Sequence, residues 1–145
     1  MLSANQVADY ILCLSDPDEG DIISHLQLQK LIYYAQGFYL AIYDRPLFSE
    51  NIVAWEHGPV VIEVYHRFKN FGSQALPIPE DIDYSVYNEE ESGLLNEVYT
   101  VYGQFSAWQL RQMTHDETPW NSTPKNHIIS HEVMKEYFKT QIVDA

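Results

Sequence analysis

The side chains through which this chain could hold a metal or attack a carbonyl are six histidines, His25, His57, His66, His115, His127 and His131, and one thiol, Cys13. His127 and His131 have the i,i+4 spacing of two ligands on one helix face. Ser130, however, is a cap residue placed to start a helix between them, and His131-Glu132 lacks the later histidine of a zinc-hydrolase motif. A single cysteine excludes an internal disulfide and any zinc site that needs two thiolates. Lying among Ile11, Leu12 and Leu14, Cys13 reads as a small buried hydrophobe. The chain contains no glycine-rich phosphate loop, no Gly-x-Ser-x-Gly elbow and no Ser-x-x-Lys pair. The expectation is therefore no catalytic residue, no metal site and no cofactor.

What does stand out is polar chemistry set in apolar or turn-forming context: Lys30 and Gln36 within a long apolar helix, His57 beside Gly58-Pro59, and the run Thr114-His115-Asp116. A His–Asp neighbour pair can orient a general base, so one reading is a small-ligand or enzymatic site using Lys30, His57 and His115. The other is structural: Thr114 and Asp116 are ordinary turn and cap residues, and His115 satisfies a backbone carbonyl.

Positioning these residues falls to helices. Ser followed three residues later by Gln, a reciprocal start signal, occurs at Ser3/Gln6, Ser24/Gln27 and Ser106/Gln109. Val7, Ala8, Ile11 and Leu12 make a first helix, broken by Asp16-Pro17 and Gly20. Leu28, Leu31, Ile32, Ala35, Phe38, Tyr39 and Ile42 form the longest stripe, with Lys30, Tyr33, Tyr34 and Gly37 on a second face. That helix is expected to be central and packed on two sides. A backbone or bulky ring should approach Gly37, since glycine in a helix interior costs roughly 1 kcal/mol. Asn51 to Glu56 reads as a short strand, and Pro59 as the first position of a third helix carrying Val60, Val61, Val64, Tyr65 and Phe68. Residues 73–91 read as a loop with one strand at Tyr84 to Tyr87. A fourth helix follows through Leu94, Leu95, Val98, Tyr99 and Tyr102, and a fifth through Trp108, Leu110 and Met113. Thr114 to Pro124 reads as irregular. A last helix from Ser130 turns Val133, Met134, Tyr137, Phe138 and Ile142 inward. The fold class expected is α+β, mainly helical: a single compact domain over 1–145, with about six helices and a small minor sheet.

Charge narrows the partners. Twenty-one acids against eight Lys and Arg leave −13, while 46% apolar residues are too many for a disordered acidic tail. Ten of the acids lie within Asp16 to Asp21 and Glu80 to Glu91, and the cations are scattered with no basic stripe. Nucleic acid and anionic membrane are accordingly not expected as direct partners, whereas a basic protein would be steered toward this chain. No apolar run approaches the ~20 residues of a membrane span, and the N-terminus lacks the basic start of a signal peptide. The expected location is the cytoplasm.

Taken together, four ordered blocks resemble the Panacea domain family, the SocA-like and GepA-like proteins found as phage-associated genes and as antitoxins. They are Leu28-Gln29-Lys30-Leu31-Ile32-Tyr33-Tyr34-Ala35-Gln36-Gly37; Pro46-Leu47-Phe48; Ala54-Trp55-Glu56-His57-Gly58-Pro59-Val60-Val61 followed by Val64-Tyr65; and Leu110 to Thr114 with His115, Glu117, Pro119 and Trp120. The resemblance runs from Val7 to about Phe138. The chain departs from the family pattern at Gln27, where Lys is usual, at Phe38, where Trp is common, and at His57, where Tyr or Phe often precedes Gly-Pro.

The resemblance implies an antitoxin that neutralises a separately encoded cognate toxin by direct protein contact, the toxin encoded next to it. It also implies, for some members, delivery of the toxin to a ClpXP-type protease. The residues it marks for partner binding or as family signature are Lys30, Tyr33, Tyr34, Gln36, Trp55, His57, Gly58, Pro59, Thr114, His115, Pro119 and Trp120. A phage-associated host-interaction protein with no toxin partner is the alternative that shares the same binding physics. Eleven tyrosines supply amphipathic contact area for either.

Overall fold

The computed structural model describes residues 1–142; residues 143–145, the end of the domain expected over 1–145, lie outside the described residues. Helix α1 (Ala4–Leu14) opens with a full capping box between Ser3 and Gln6. Helix α2 (His25–Tyr43) is the axis of the domain: the row Lys30, Tyr33, Tyr34, Gly37 is buried, and so is the apolar stripe apart from Phe38 and Ile42 near its end. It touches α1, α3 (Ile62–Phe68), α4 (Glu89–Tyr102), α5 (Ala107–His115) and α7 (His131–Lys139). Gly37 is where the α7 ring of Phe138 lies against the α2 backbone, in the space a Cβ would fill. Asp44, left-handed at φ 58°, ends the helix.

The sheet is small. Strands β1 (Val53–Trp55) and β2 (Gly58–Val60) pair antiparallel, with Val53 opposite Val60 and Ala54 opposite Pro59. The free edge of β1 is covered by the segment after α6 (Thr118–Asn121): Ala54 N–H donates to His127 O at 3.0 Å, and Ile129 N–H donates to Ile52 O at 2.8 Å. Pro59 therefore lies in an edge strand, where its missing N–H is harmless, and not at the start of α3. The helix waits until Ile62 because the Gln29 side chain holds both backbone groups of Val61 in extended geometry.

Further expectations need correction. Tyr84–Val86 is a 3-10 turn and not a strand. The fourth helix begins at Glu89, well before Leu94, because Asn88 and Glu91 form a capping box and three glutamates suit a helix N-terminus. Thr118–Asn121, read as irregular, is a short helix with Pro119 in its first turn. Ser130 caps α7 through Val133 N–H, as the sequence indicates, with Met134 and Phe138 buried. Ile42 and Ile142, expected inward, are instead exposed. The count is seven α-helices among the described residues, one more than expected. None of them is long and apolar enough to cross a membrane.

Candidate functional site

The polar residues of α2 are spent one by one on the chain segments around it. Gln36 accepts from Leu47 N–H at 2.7 Å and donates to Phe48 O at 2.9 Å, pinning the turn after the helix. Gln29 does the same for one residue, accepting from Val61 N–H at 2.9 Å and donating to Val61 O at 3.2 Å, with His25 Nε2 3.1 Å from its amide. Gln27 does not complete a capping box with Ser24. Its amide reaches across to Phe105 O at 3.0 Å and Gly103 O at 3.4 Å, at the α4–α5 junction. A side-chain amide carries a donor and an acceptor, so it can replace the strand neighbour that a buried loop lacks.

Tyr33 and Tyr34 share one acceptor. Their hydroxyls donate to Glu117 Oε1 at 2.9 Å and Oε2 at 2.8 Å, tying α2 to the α5–α6 turn. Burial is the largest influence on this carboxyl and raises it from 4.5 to about 7, against the two phenol donors that favour its charged form. Burial, then the facing carboxylate, pushes both phenols far above the ordinary tyrosine value. The Tyr34 ring stacks on Tyr102 of α4 at 4.0 Å and 9°.

Lys30, Gly58 and Thr114 meet at one point. Lys30 is 0% exposed, and its Nζ has no hydrogen-bond partner among the described residues. Gly58, at φ +127°, brings bare backbone over it: a Cβ there would lie 3.2 Å from Nζ and 3.3 Å from Thr114 Oγ1. Burial first, then the Arg111 charge, lowers the amine from 10.5 to about 7. Thr114 Oγ1 donates to the Arg111 carbonyl at 3.0 Å, and although its oxygen can still accept, Lys30 Nζ makes no hydrogen bond to it.

Beside this point the imidazole of His115 stacks on Trp120, centroids 3.8 Å apart and 6° from parallel, and Trp120 Nε1 donates to Trp55 O at 2.8 Å. Burial, then Arg111 and Lys30, hold His115 below the ordinary imidazole value, with a hydrogen bond to the His57 backbone acting the other way. His115 Nε2 is buried without a hydrogen-bond partner among the described residues, so the backbone satisfaction expected of this ring is not met at that nitrogen. His57 itself is exposed, and Trp55 and Trp120 are half-buried. His57 and Trp55 line a small pocket of about 160 Å³ with Leu26 and Tyr65.

The twelve residues singled out in the sequence therefore separate into groups. Lys30, Gly58 and Thr114 converge; Trp55, His57, His115 and Trp120 form the adjoining layer; Pro59 and Pro119 are buried backbone anchors. Tyr33 and Tyr34 sit on Glu117, and Gln36 works alone toward the other end of α2. Of the proposed trio, Lys30 and His115 are near each other, but the amine is sealed from solvent. Sequence reasoning missed the roles of Gln27, Gln29 and Glu117. The available signal was their placement: glutamines inside an apolar helix, and an acid between the Thr-His and Pro-Trp pairs. Among the described residues no three His, Cys, Asp or Glu side chains are grouped to hold a metal. The Cys13 thiol is half-buried, 3.6 Å from Pro79 O, and raised chiefly by burial.

Residues 28–121 match the family described as antitoxin SocA-like, Panacea domain. Antitoxin SocA of Caulobacter vibrioides (strain NA1000 / CB15N) is 31% identical over 134 residues, an alignment covering 81% of this chain and 66% of that protein. The chain thus spans just under two thirds of that relative's length. No solved structure matches it.

Proposed function

The chain belongs to the antitoxin SocA-like, Panacea-domain family, and from that premise we propose that it neutralises a cognate toxin by direct protein contact, performing no bond-making of its own. The observation that carries this reading is how the signature residues are used. They clamp loops to α2 and close over Lys30, which leaves a rigid outer surface as the functional product of the fold. An amine near neutrality is a potential nucleophile, yet Lys30 has no exposed surface from which to reach a substrate. The −13 charge favours encounter with a cationic partner in the cytoplasm, and a contact of the usual size, about 800 Å² per side, needs only complementary shape and a few anchors.

The test is co-expression with the adjacent reading frame. Its product arrests growth alone, is tolerated with this chain, and co-purifies with it. Arrest that persists on co-expression refutes the proposal. A Lys30→Met variant that keeps its fold retains rescue; loss of rescue with the fold intact argues for an enzyme. Toxin half-life in cells with and without the ClpXP protease separates simple occlusion from delivery: a half-life shortened by this chain only when ClpXP is present marks an adaptor.

A further inference from the structure

The apolar stripe of α2 does not end in the core. Ile42 is 50% exposed, Val101 on α4 is 40% exposed and Ile142, just past α7, is 37% exposed. These three side chains converge on one groove of about 350 Å³, floored by Phe38, Leu94 and Val98. Aliphatic residues scattered singly over a surface are unremarkable, but three lining one concave site with an apolar floor mark a place where another chain sits.

Charge around the groove indicates what kind of chain. Helix α4 forms one wall, and Glu97 is the charged side chain of that helix that faces the groove; Glu91 is buried in the cap at the far end of α4 and Glu90 is paired with Arg45 there. Glu97 is itself part of the lining and has no ion-pair partner among the described residues. Among the described residues no Lys or Arg lines the groove; Arg45 is bound to Glu90 at 2.7 Å and Lys135 is paired with Asp44. An apolar trough with one unpaired carboxylate on its wall is complementary to a helix that is apolar on one face and carries a Lys or Arg at its flank.

We propose that this groove receives an amphipathic helix of the toxin, with large apolar side chains at i, i+3 or i+4 and i+7 seated between α2 and α4, and Lys or Arg facing Glu97. The inference rests on the toxin-binding reading above and assigns it a surface. That surface is distinct from the signature residues, which hold the fold from within. It also explains why Ile42 follows the inward periodicity of its helix while remaining in water.

The experiment measures binding of the adjacent gene's product to the full chain, wild type and variants. Val101→Glu and Ile42→Glu, both at exposed positions, leave the circular dichroism and the urea midpoint unchanged and weaken association by about tenfold or more, the loss expected at an interface anchor. Glu97→Lys weakens it several-fold at low salt and less at high salt. Binding by all three variants within about twofold of wild type overturns the groove while leaving toxin neutralisation standing. Failure of the wild-type chain to bind at all defeats the toxin reading, and the groove assignment with it. A wild-type dimer in the ultracentrifuge that Val101→Glu dissociates assigns the groove to a second copy and overturns the proposal. So does a gain of about tenfold in affinity on deleting residues 143–145, which would make the chain's own end the occupant.

Discussion

Lys30 and Glu117 bind protons with unusual affinity in the fold, in opposite senses, and together they predict an inverted pH dependence of stability. The amine is lowered from 10.5 to about 7. Its contribution is therefore fully favourable above the unfolded value and is lost as pH falls toward 7, a loss of about 5 kcal/mol at about 1.4 kcal/mol per decade. The carboxyl is raised from 4.5 to about 7. Its contribution is present below the unfolded value and is lost as pH rises toward 7, about 3 kcal/mol by the same conversion. Combining the two titrations makes the domain about 2 kcal/mol less stable at pH 7 than at pH 5 or pH 9. His25 and His115, both lowered chiefly by burial, lose stability in acid and take back part of the gain at pH 5, so the alkaline limb is the cleaner test. Urea unfolding at pH 7 and 9 measures it, a change of about 1 M in midpoint at ordinary denaturant sensitivity. Lys30→Met removes the titrating group without emptying its volume. The stability difference between this variant and wild type should be about 2 kcal/mol larger at pH 7 than at pH 9, whatever the methionine contributes by packing. Parallel slopes for the two proteins would mean that Lys30 is not a desolvated amine, and the account of the Lys30–Gly58–Thr114 point would fail.

Other substitutions probe the clamps. Gly37→Ala drives a methyl group into the Phe138 ring and should cost about 1–3 kcal/mol; Phe138→Leu in the same chain should recover part of it, read as a thermal-unfolding double-mutant cycle. Gln36→Leu leaves Leu47 N–H and Phe48 C=O unpaired, a loss of about 2–4 kcal/mol, with faster hydrogen exchange at the Leu47 amide as the local signature. Trp120→Leu removes both the stack on His115 and the donor to Trp55 O. Because burial is the main cause of the lowered His115 value, its NMR titration midpoint should rise toward 6.5.

The helices were readable because their signals are local. Ser3/Gln6, Ser24/Gln27, Ser106/Gln109 and Ser130 all start helices where the sequence places them. The burial of the second face of α2 followed from its composition, and the ring against Gly37 from the cost of an unexplained helix glycine. The misreadings occurred where a distant group overrides a local preference. Pro59 has the sequence context of a helix start, but Gln29, thirty residues earlier, holds Val61 extended. Gln27 has the spacing of a capping partner, but carbonyls at 103 and 105 compete for its amide.

By itself, then, the sequence determined the class of fold, the central helix and the family, because apolar period, caps and motif order are properties of neighbouring residues. Tertiary structure alone decided what the marked residues do. That burial lowers the Lys30 amine to about 7, that Glu117 gathers two tyrosines and that Ile42 stays in water beside Val101 and Ile142 all depend on which surfaces meet. Solvent exclusion and hydrogen-bond partnership are properties of pairs far apart in the chain, and residue spacing carries no record of them.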